Sequence, residues 1–477
     1  MSTPDAVVIG SGPNGLAAAL VLARAGLSVE VLEGAATPGG GCRTEELTLP
    51  GLQHDVCSTV QSMVPLSPFF AGLDLERLGV RLCTPEVAFA HPLDDGRAGA
   101  VLGSVADTAA TLGADGARYA RLFGPLVDGA ATIVPTVLAP LRSLPRHPVP
   151  MARFAVAGLP SLAHLARRFS TEEAKGLLAG VGAHAMLPLE APLTAAFGIF
   201  LTIVAHAGGW PLVQGGSAQL VAALVSELTD AGATLHTGRF VKDATQLPAA
   251  RAVVFDTSLE TLVAVAGARL PAHYRRALGR FRHGPGICKV DWALSGPVPW
   301  SAPMCRKAGT VHVGGTFAEV ARSESEVASD RHAERPYCLV VQPGVVDPTR
   351  APAGQQTLWA YCHVPRGSTL DMTLRIEAQI ERFAPGFKDL VLARATLTAA
   401  QAQAHNPNYV GGDITGGAGT LRQTIFRPAA RWNPYRTGAQ GIYLCSASTP
   451  PGGGVHGMCG VGAARAVLAD LKVRERR

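Results

Sequence analysis

Gly10-Ser11-Gly12-Pro13-Asn14-Gly15 has the spacing G-x-G-x-x-G, and Glu33 follows 18 residues after its last glycine. Such a turn does chemistry through its backbone, by presenting N–H groups to phosphate oxygens. Gly10 permits the tight turn, Gly12 lets the chain approach a pyrophosphate, and Gly15 lets a helix lie close to the preceding strand. Pro13 and Asn14 open that helix, whose free N–H groups and partial positive charge attract anions. A carboxylate at Glu33 accepts hydrogen bonds from ribose hydroxyls and repels a 2′-phosphate. A second glycine turn, Gly39-Gly40-Gly41, runs into Cys42-Arg43-Thr44. There Gly40 and Gly41 allow a close backbone approach beside the Arg43 guanidinium, with Thr44 next in line. A second turn so soon after the acid favours FAD over NAD, since a plain NAD domain does not need it.

Lys289 stands in an apolar run, Ile287-Cys288-Lys289-Val290-Asp291-Trp292. A buried ammonium is costly unless it has a task or a partner. Two alternatives to a catalytic role stand beside it: alternation turns Lys289 outward, or Asp291, two residues on and on the same face, pairs with it. His54, Asp55, Cys57, Ser58 and Gln61 follow the Arg43 turn and could border a cofactor. His184, His206 and Trp210 flank a stretch without Asp, Glu, Lys or Arg, from Ala191 to Ser226, and could line a substrate tunnel. Each of these residues has ordinary packing as its competing reading. The H-E-x-x-H, G-x-S-x-G and G-x-x-x-x-G-K-[ST] patterns do not occur, and no metal site is expected.

The elements that must position these groups begin as β-α-β. Ala6–Gly10 and Ser28–Leu32 are short apolar strands, and Asn14–Ala25 is an Ala/Leu-rich helix. Strands without alternation separated by a helix imply a parallel sheet buried on both faces. The region from Asp74 to Leu212 reads as mostly helical. Within it the apolar run Ala195–Ala207 is too short to cross a membrane and reads as a buried helix ending at Gly208-Gly209. Ala218–Ala231 is a helix; Thr234–Thr237, Phe240–Lys242 and Ala252–Phe255 read as strands. A β-rich part follows, with Cys288–Leu294, Thr310–Val313, Tyr337–Gln342 and Thr357–His363. The end returns to strand (Gly441–Cys445), turn (Pro450–Gly454) and helix (Val455–Asp470). The expected fold is therefore α/β. A Rossmann-like domain is assembled from 1–75, 211–285 and 430–477, and an inserted α+β substrate-binding domain from 76–210 and 286–429.

The chain has 477 residues, 47% hydrophobic and 16% charged, with a formal net charge of +6. That excludes a disordered chain and gives no signature of nucleic-acid binding. Nine cysteines without a C-x-x-C argue against a zinc ribbon or disulfide scaffold. Free thiols in a reducing cytosol are the simplest reading, and no signal peptide is expected before the first strand. A cytoplasmic protein is expected, with peripheral membrane contact left open; oligomeric state is not legible.

Gly10–Gly15, Glu33 and Gly39–Arg43 together resemble the FAD-binding amine oxidase and phytoene desaturase superfamily. The C-terminal run from Tyr443 to Cys459 is similar to the closing motif of the phytoene desaturase-related branch. Within it the pyridine nucleotide-disulfide oxidoreductase domain-containing proteins also share the look of Glu45–Gly51 and Gly286–Leu294. The resemblance covers nearly the whole chain. It implies FAD as cofactor, with Gly454, Val455 and His456 near the flavin ring at the start of the last helix, and Val241 offering its backbone to adenine. A core valine is the competing reading of Val241. The resemblance also implies a catalytic lysine at Lys289, with Trp300 eleven residues on, similar to the Gly-x-x-x-Lys…Pro-x-Trp arrangement of flavin amine oxidases, and His456 as a second candidate. An acid common after the last strand is replaced by Ser446-Ala447-Ser448. The expected activity is a phytoene desaturase-like transfer of a hydride or electron pair between flavin and a carbon of a lipophilic or weakly charged substrate. The alternatives are a peroxide-producing amine oxidase and a flavin-binding interaction protein with little turnover.

Overall fold

In β1 (Ala6–Ile9), Ala6 and Val8 enter one apolar core while Val7 and Ile9 enter another. Both faces are covered, which is why the tetrapeptide shows no polar alternation. The computed structural model describes residues 3–140 and 147–475. Residues 141–146, within the region expected to be mostly helical, lie outside the described residues.

Numbering strands in chain order, β1 is the middle of a parallel sheet ordered β16 (Ile442–Leu444), β10 (Ala252–Phe255), β1, β2 (Val29–Leu32), β9 (Thr234–His236). Helices Pro13–Arg24, Ser217–Asp230 and Met458–Leu471 cover one face; Leu259–Ala266 and Ala272–Leu278 cover the other. A hairpin, β3 (Thr44–Glu45) with β4 (His54–Asp55), and a short pair, β5 (Leu82–Cys83) with β8 (Leu212–Val213), lead to a second sheet. Its order is β15 (Val391–Leu397), β11 (Gly286–Leu294), β14 (Gln356–Val364), β13 (Cys338–Val341), β12 (Ala308–Val313), β6 (Val87–Pro92), β7 (Ala98–Leu102).

Alternation along these longer strands sorts side chains into two layers. Cys288, Val290, Trp292, Val311, Val340 and Leu358 pack under helix Thr373–Phe383. Ile287, Leu339, Val341, Trp359 and Tyr361 face a helical layer that includes Glu172–Gly182 and Thr194–Gly208. Lys289 pairs in register with Tyr361, and Asp291 with Trp359. Both charged residues thus lie on that second face and are buried.

Three sequence expectations are corrected. The stretch expected to be mostly helical contributes β5, β6 and β7. Val87–Ala90 is buried on both sides, so its period of two is hidden, and Asp94-Asp95-Gly96 turns the hairpin. Phe240–Lys242 runs without ladder partners, because β9 is the edge of its sheet. The last helix starts at Met458, not Val455; Gly454 (φ 127°) and Gly457 (φ 71°) hold the intervening residues in a turn. The helix expected over Ala195–Ala207 spans Thr194–Gly208 and stops at Gly209 (φ 76°).

Candidate functional site

Gly15 shows why the first turn needs glycine. A Cβ there would lie 2.2 Å from the Gly10 carbonyl oxygen, so any side chain would push the helix off β1. The turn, Glu33, and the Gly40–Arg43 segment open onto one cavity of about 1060 Å³. That is above the roughly 300–1,000 Å³ typical of a small-molecule site.

Glu33 ends β2 with its carboxylate buried. It accepts hydrogen bonds from Ser11 N (3.0 Å), Ser11 Oγ (2.6 Å) and Ala35 N (2.8 Å). It therefore ties the first turn to the end of β2 while still facing the cavity. Arg43 is buried, with one terminal nitrogen 3.7 Å from Glu33 Oε1 and its Nε without a partner. Asn14 Oδ1 is also buried and unpartnered. An orphaned guanidinium donor on a cavity wall is a costly arrangement unless an anion completes it. The backbone beside it is bare: a Cβ on Gly40 would sit 3.1 Å from Gly12 Cα. These observations fit a dinucleotide pyrophosphate.

Of the residues singled out in the sequence, Gly10, Gly12, Pro13, Asn14, Glu33, Gly40, Gly41, Arg43, Val241, Gly454, Val455 and His456 line the cavity, as do Cys57, Ser58, His184 and Trp210. Gly15 lies behind the turn and packs the helix. Thr44 faces away, with its hydroxyl donating to Asp55 Oδ1 (2.8 Å) and accepting from Ala218 N (3.1 Å). Asp55 is bound by Ser217 and by Arg350, which also pairs with Asp347 in a buried network. His54 contacts Thr48 Oγ1 (2.8 Å) and Asp291 (3.5 Å). His206 meets the Tyr119 hydroxyl at 2.8 Å, outside the cavity wall.

The two candidate catalytic side chains are both engaged. Lys289 is absent from the cavity wall; its ammonium forms an ion pair with Asp291 and lies 5.2 Å from the centre of the Trp359 ring, which does line the cavity. The pairing that alternation allowed is the arrangement found. His456 Nδ1 accepts from Met458 N (3.0 Å), and Nε2 donates to Gly452 O (3.2 Å). Both ring nitrogens are committed, and burial lowers the imidazole to about 4, so it is neutral and shapes the turn. Trp300 donates to Gln342 inside the second sheet.

Asp256, just after β10, is a cavity residue that sequence reasoning missed. Its Oδ2 accepts from Gly15 N (2.8 Å) at the start of the first helix. Burial, joined by the charge of Glu33, pushes its carboxyl up to about 7 despite that hydrogen bond. Arg427 is a second missed residue: it is buried on the cavity wall, donates to Gly416 O (3.0 Å), and leaves Nε unpartnered. No local spacing marks either residue. The signal available for Asp256 was its place at the end of a strand adjoining β1.

One arm of the wall is mostly apolar, with His184 and Thr310 among its polar residues. Helices and turns within 137–139 and 151–201 contribute Leu138, Met151, Phe154, Leu159, Phe197 and Phe200 among others, and the second sheet contributes Leu339, Val341, Trp359 and Tyr361. Among the described residues, the carboxylates and guanidiniums on the wall (Glu33, Arg43, Arg239, Asp256, Arg427) come from outside these two groups.

Residues 8–66 match the family described as NAD(P)-binding Rossmann-like domain. Over 98% of its length the chain is 27% identical to the rat pyridine nucleotide-disulfide oxidoreductase domain-containing protein 2, covering 94% of that protein. Among solved structures, an oxidoreductase from Methanosarcina mazei aligns with TM-score 0.64 and 18% identity, over 98% of this chain and 99% of the other. Putrescine oxidase bound to putrescine aligns with TM-score 0.61 and 18% identity, over 99% of each chain. The chain thus has a Rossmann-type dinucleotide-binding fold and shares its full-length architecture with oxidoreductases.

Proposed function

We propose that this protein is an FAD-dependent oxidoreductase that moves a hydride or electron pair between the flavin and a carbon of an uncharged, lipophilic substrate. The observation that carries the reading is one cavity that joins the glycine turn, Glu33 and Arg43 to an apolar arm on which no charged side chain stands among the described residues. Likeness to the rat protein and to a flavin-oxidase-like architecture supports the same chemistry.

The first-turn amides and Gly40, Gly41 and Arg43 would hold the pyrophosphate, Glu33 the ribose and Val241 the adenine. Gly454, Val455 and His456 would border the ring. When bound, the flavin supplies a two-electron acceptor. The chain's own part is orientation and exclusion of water: an apolar arm desolvates a substrate C–H bond and holds it in one place. Desaturation, as in phytoene desaturase-like enzymes, is the reaction that suits a neutral hydrocarbon-like substrate. The proposed division into a cofactor-binding unit (1–75, 211–285, 430–477) and a substrate-binding unit (76–210, 286–429) is supported by the two large sheets, whose strands fall one set in each.

Amine oxidation is the second reading, and fold likeness to putrescine oxidase favours it. An ammonium substrate needs a carboxylate or aromatic cage; no carboxylate lines the apolar arm among the described residues, whereas Trp359 and Tyr361 stand on its wall with ring centroids 5.8 Å apart. Among the described residues no helix is long and apolar enough to cross a membrane. Val156, Leu159, Ile425 and Phe426 are exposed apolar residues on segments that form the cavity wall, which supports peripheral contact with lipid. The test is a visible spectrum of the purified protein, followed by anaerobic bleaching with neutral lipophilic compounds and, separately, peroxide release with amines. A colourless protein that cannot be loaded with FAD sinks the cofactor reading; peroxide from amines alone replaces the first reaction with the second.

A further inference from the structure

Half-buried His184 and fully buried His312 form an imidazole pair at the edge of the apolar arm, with Nε2 to Nε2 at 3.0 Å. His184 lies in the short turn Ala183–Ala185 and faces the cavity; His312 lies on β12, fully buried. A third ring, His91, sits beside them under helix Glu172–Gly182. A Cβ on Gly180 of that helix would fall 2.5 Å from His312 Cβ and 2.8 Å from His91 Nδ1, so a glycine lets the helix close over both rings.

Burial holds all three imidazoles below their ordinary range, so each is neutral and carries one proton. His91 Nε2 faces the Gly315 carbonyl at 2.6 Å, and a carbonyl only accepts, so the His91 proton is on Nε2. In the His184–His312 pair one Nε2 donates and the other accepts. His312 Nδ1 is buried without a partner. If that atom carried the proton, an N–H would be orphaned in the core; if it is bare, only a weak acceptor is unsatisfied. Buried orphan N–H groups are the rarer and costlier of the two. The His312 proton is therefore on Nε2 and is donated to His184 Nε2. The proton of His184 is then on Nδ1, which has no hydrogen bond among the described residues.

The other nitrogen donors on this part of the wall are spent internally. Trp210 Nε1 donates to Thr310 Oγ1 (2.9 Å) and Trp359 Nε1 to Thr59 Oγ1 (2.7 Å). We propose that His184 offers a neutral Nδ1–H to a carbonyl or hydroxyl oxygen on the lipophilic substrate, with His312 as the positioning residue that sets its tautomer. The inference rests on reading the apolar arm as a substrate site. It adds that the substrate is an oxygenated lipophile, which a bare hydrocarbon would not satisfy.

Two measurements test it on the flavin-loaded protein. In histidine-15N-labelled protein, long-range 1H–15N spectra assigned with His184→Phe should show His184 protonated at Nδ1; protonation at Nε2 overturns the proposal. This readout needs neither substrate nor turnover, so it is independent of the redox reading. The second uses 4-phenyl-2-butanone and butylbenzene as probes, with binding followed by ligand-observed NMR. In wild type the ketone should bind more tightly than the hydrocarbon. His184→Phe should weaken the ketone by about 5- to 10-fold, the scale of one hydrogen bond, and leave butylbenzene within about two-fold. His184→Gln, which keeps a donor, should recover most of the loss. No preference for the ketone in wild type, no ketone binding, or equal loss of both probes in His184→Phe overturns it.

Discussion

Replacing Asp256 with Asn should stabilise the flavin-free protein, and more so at higher pH. Asn keeps an oxygen to accept from Gly15 N, so the helix cap survives while the charge is removed. In the folded chain burial, helped by the nearby Glu33 charge, pushes the Asp256 carboxyl from its ordinary 3.8 to about 7. An acid raised on folding holds its proton better in the native state than in the unfolded one. Native stability is therefore fullest in acid and declines as pH climbs from about 4 to about 7, after which the penalty is constant. About three pH units at about 1.4 kcal/mol each give a ceiling near about 4 kcal/mol at pH 8, and the same linkage gives about 2 kcal/mol at pH 5. Asp256 faces the cavity, so water there reduces both figures, but the difference between the two pH values keeps its sign.

Urea unfolding at pH 5 and pH 8 reads this directly. The variant should exceed wild type at both, by a margin that grows toward pH 8. Equal margins, or a wild type that gains on the variant as pH rises, would refute the argument that the carboxylate is held against its charge. The same substitution bears on the ligand. An ionised Asp256 at the first turn repels a pyrophosphate, so FAD affinity of wild type should weaken between pH 6 and 8, and Asn should flatten that slope in a calorimetric titration.

Gly15→Ala should abolish FAD binding, since its Cβ would meet the Gly10 carbonyl at 2.2 Å; absorbance of the purified variant checks it. Glu33→Ala leaves Ser11 N, Ser11 Oγ and Ala35 N without their acceptor and should weaken FAD by about ten-fold or more in calorimetry, the loss of one to two charge-assisted hydrogen bonds. Arg350→Met strands buried Asp55 and Asp347 and should cost about 3–5 kcal/mol in chemical denaturation. Lys289→Met strands Asp291 in the same way, whereas the double variant with Asp291→Leu should recover most of that stability. If the double variant is stable yet its flavin is reduced much more slowly, Lys289 acts on the reaction as well as on Asp291.

What the sequence could disclose was chemistry written in local spacing. Gly10–Gly15, Glu33 and Gly39–Arg43 are near neighbours in the chain, and one β-α-β unit brings them to one crevice. Lys289 and Asp291 were legible as far as a period of two allows: the residues share a face, but only the register with Trp359 and Tyr361 sets the ammonium against a ring that lines the cavity while Lys289 itself does not. Asp256 is 241 residues from Gly15, and no pattern in either segment announces their hydrogen bond. The strands β6 and β7 were hidden for a related reason, since burial on both faces removes the alternation that marks a strand.

His184 carries the same point into function. Its position beside an uncharged stretch suggested a tunnel wall, yet a histidine on a wall can donate, accept or carry charge. The choice among these is made by His312, 128 residues away, and His312 is constrained in turn by what its own Nδ1 lacks. A side chain's chemistry here is decided two partners deep. Substituting His312 while His184 is untouched should therefore alter which end of the His184 ring bears hydrogen, and any preference for an oxygen-bearing probe should change with it.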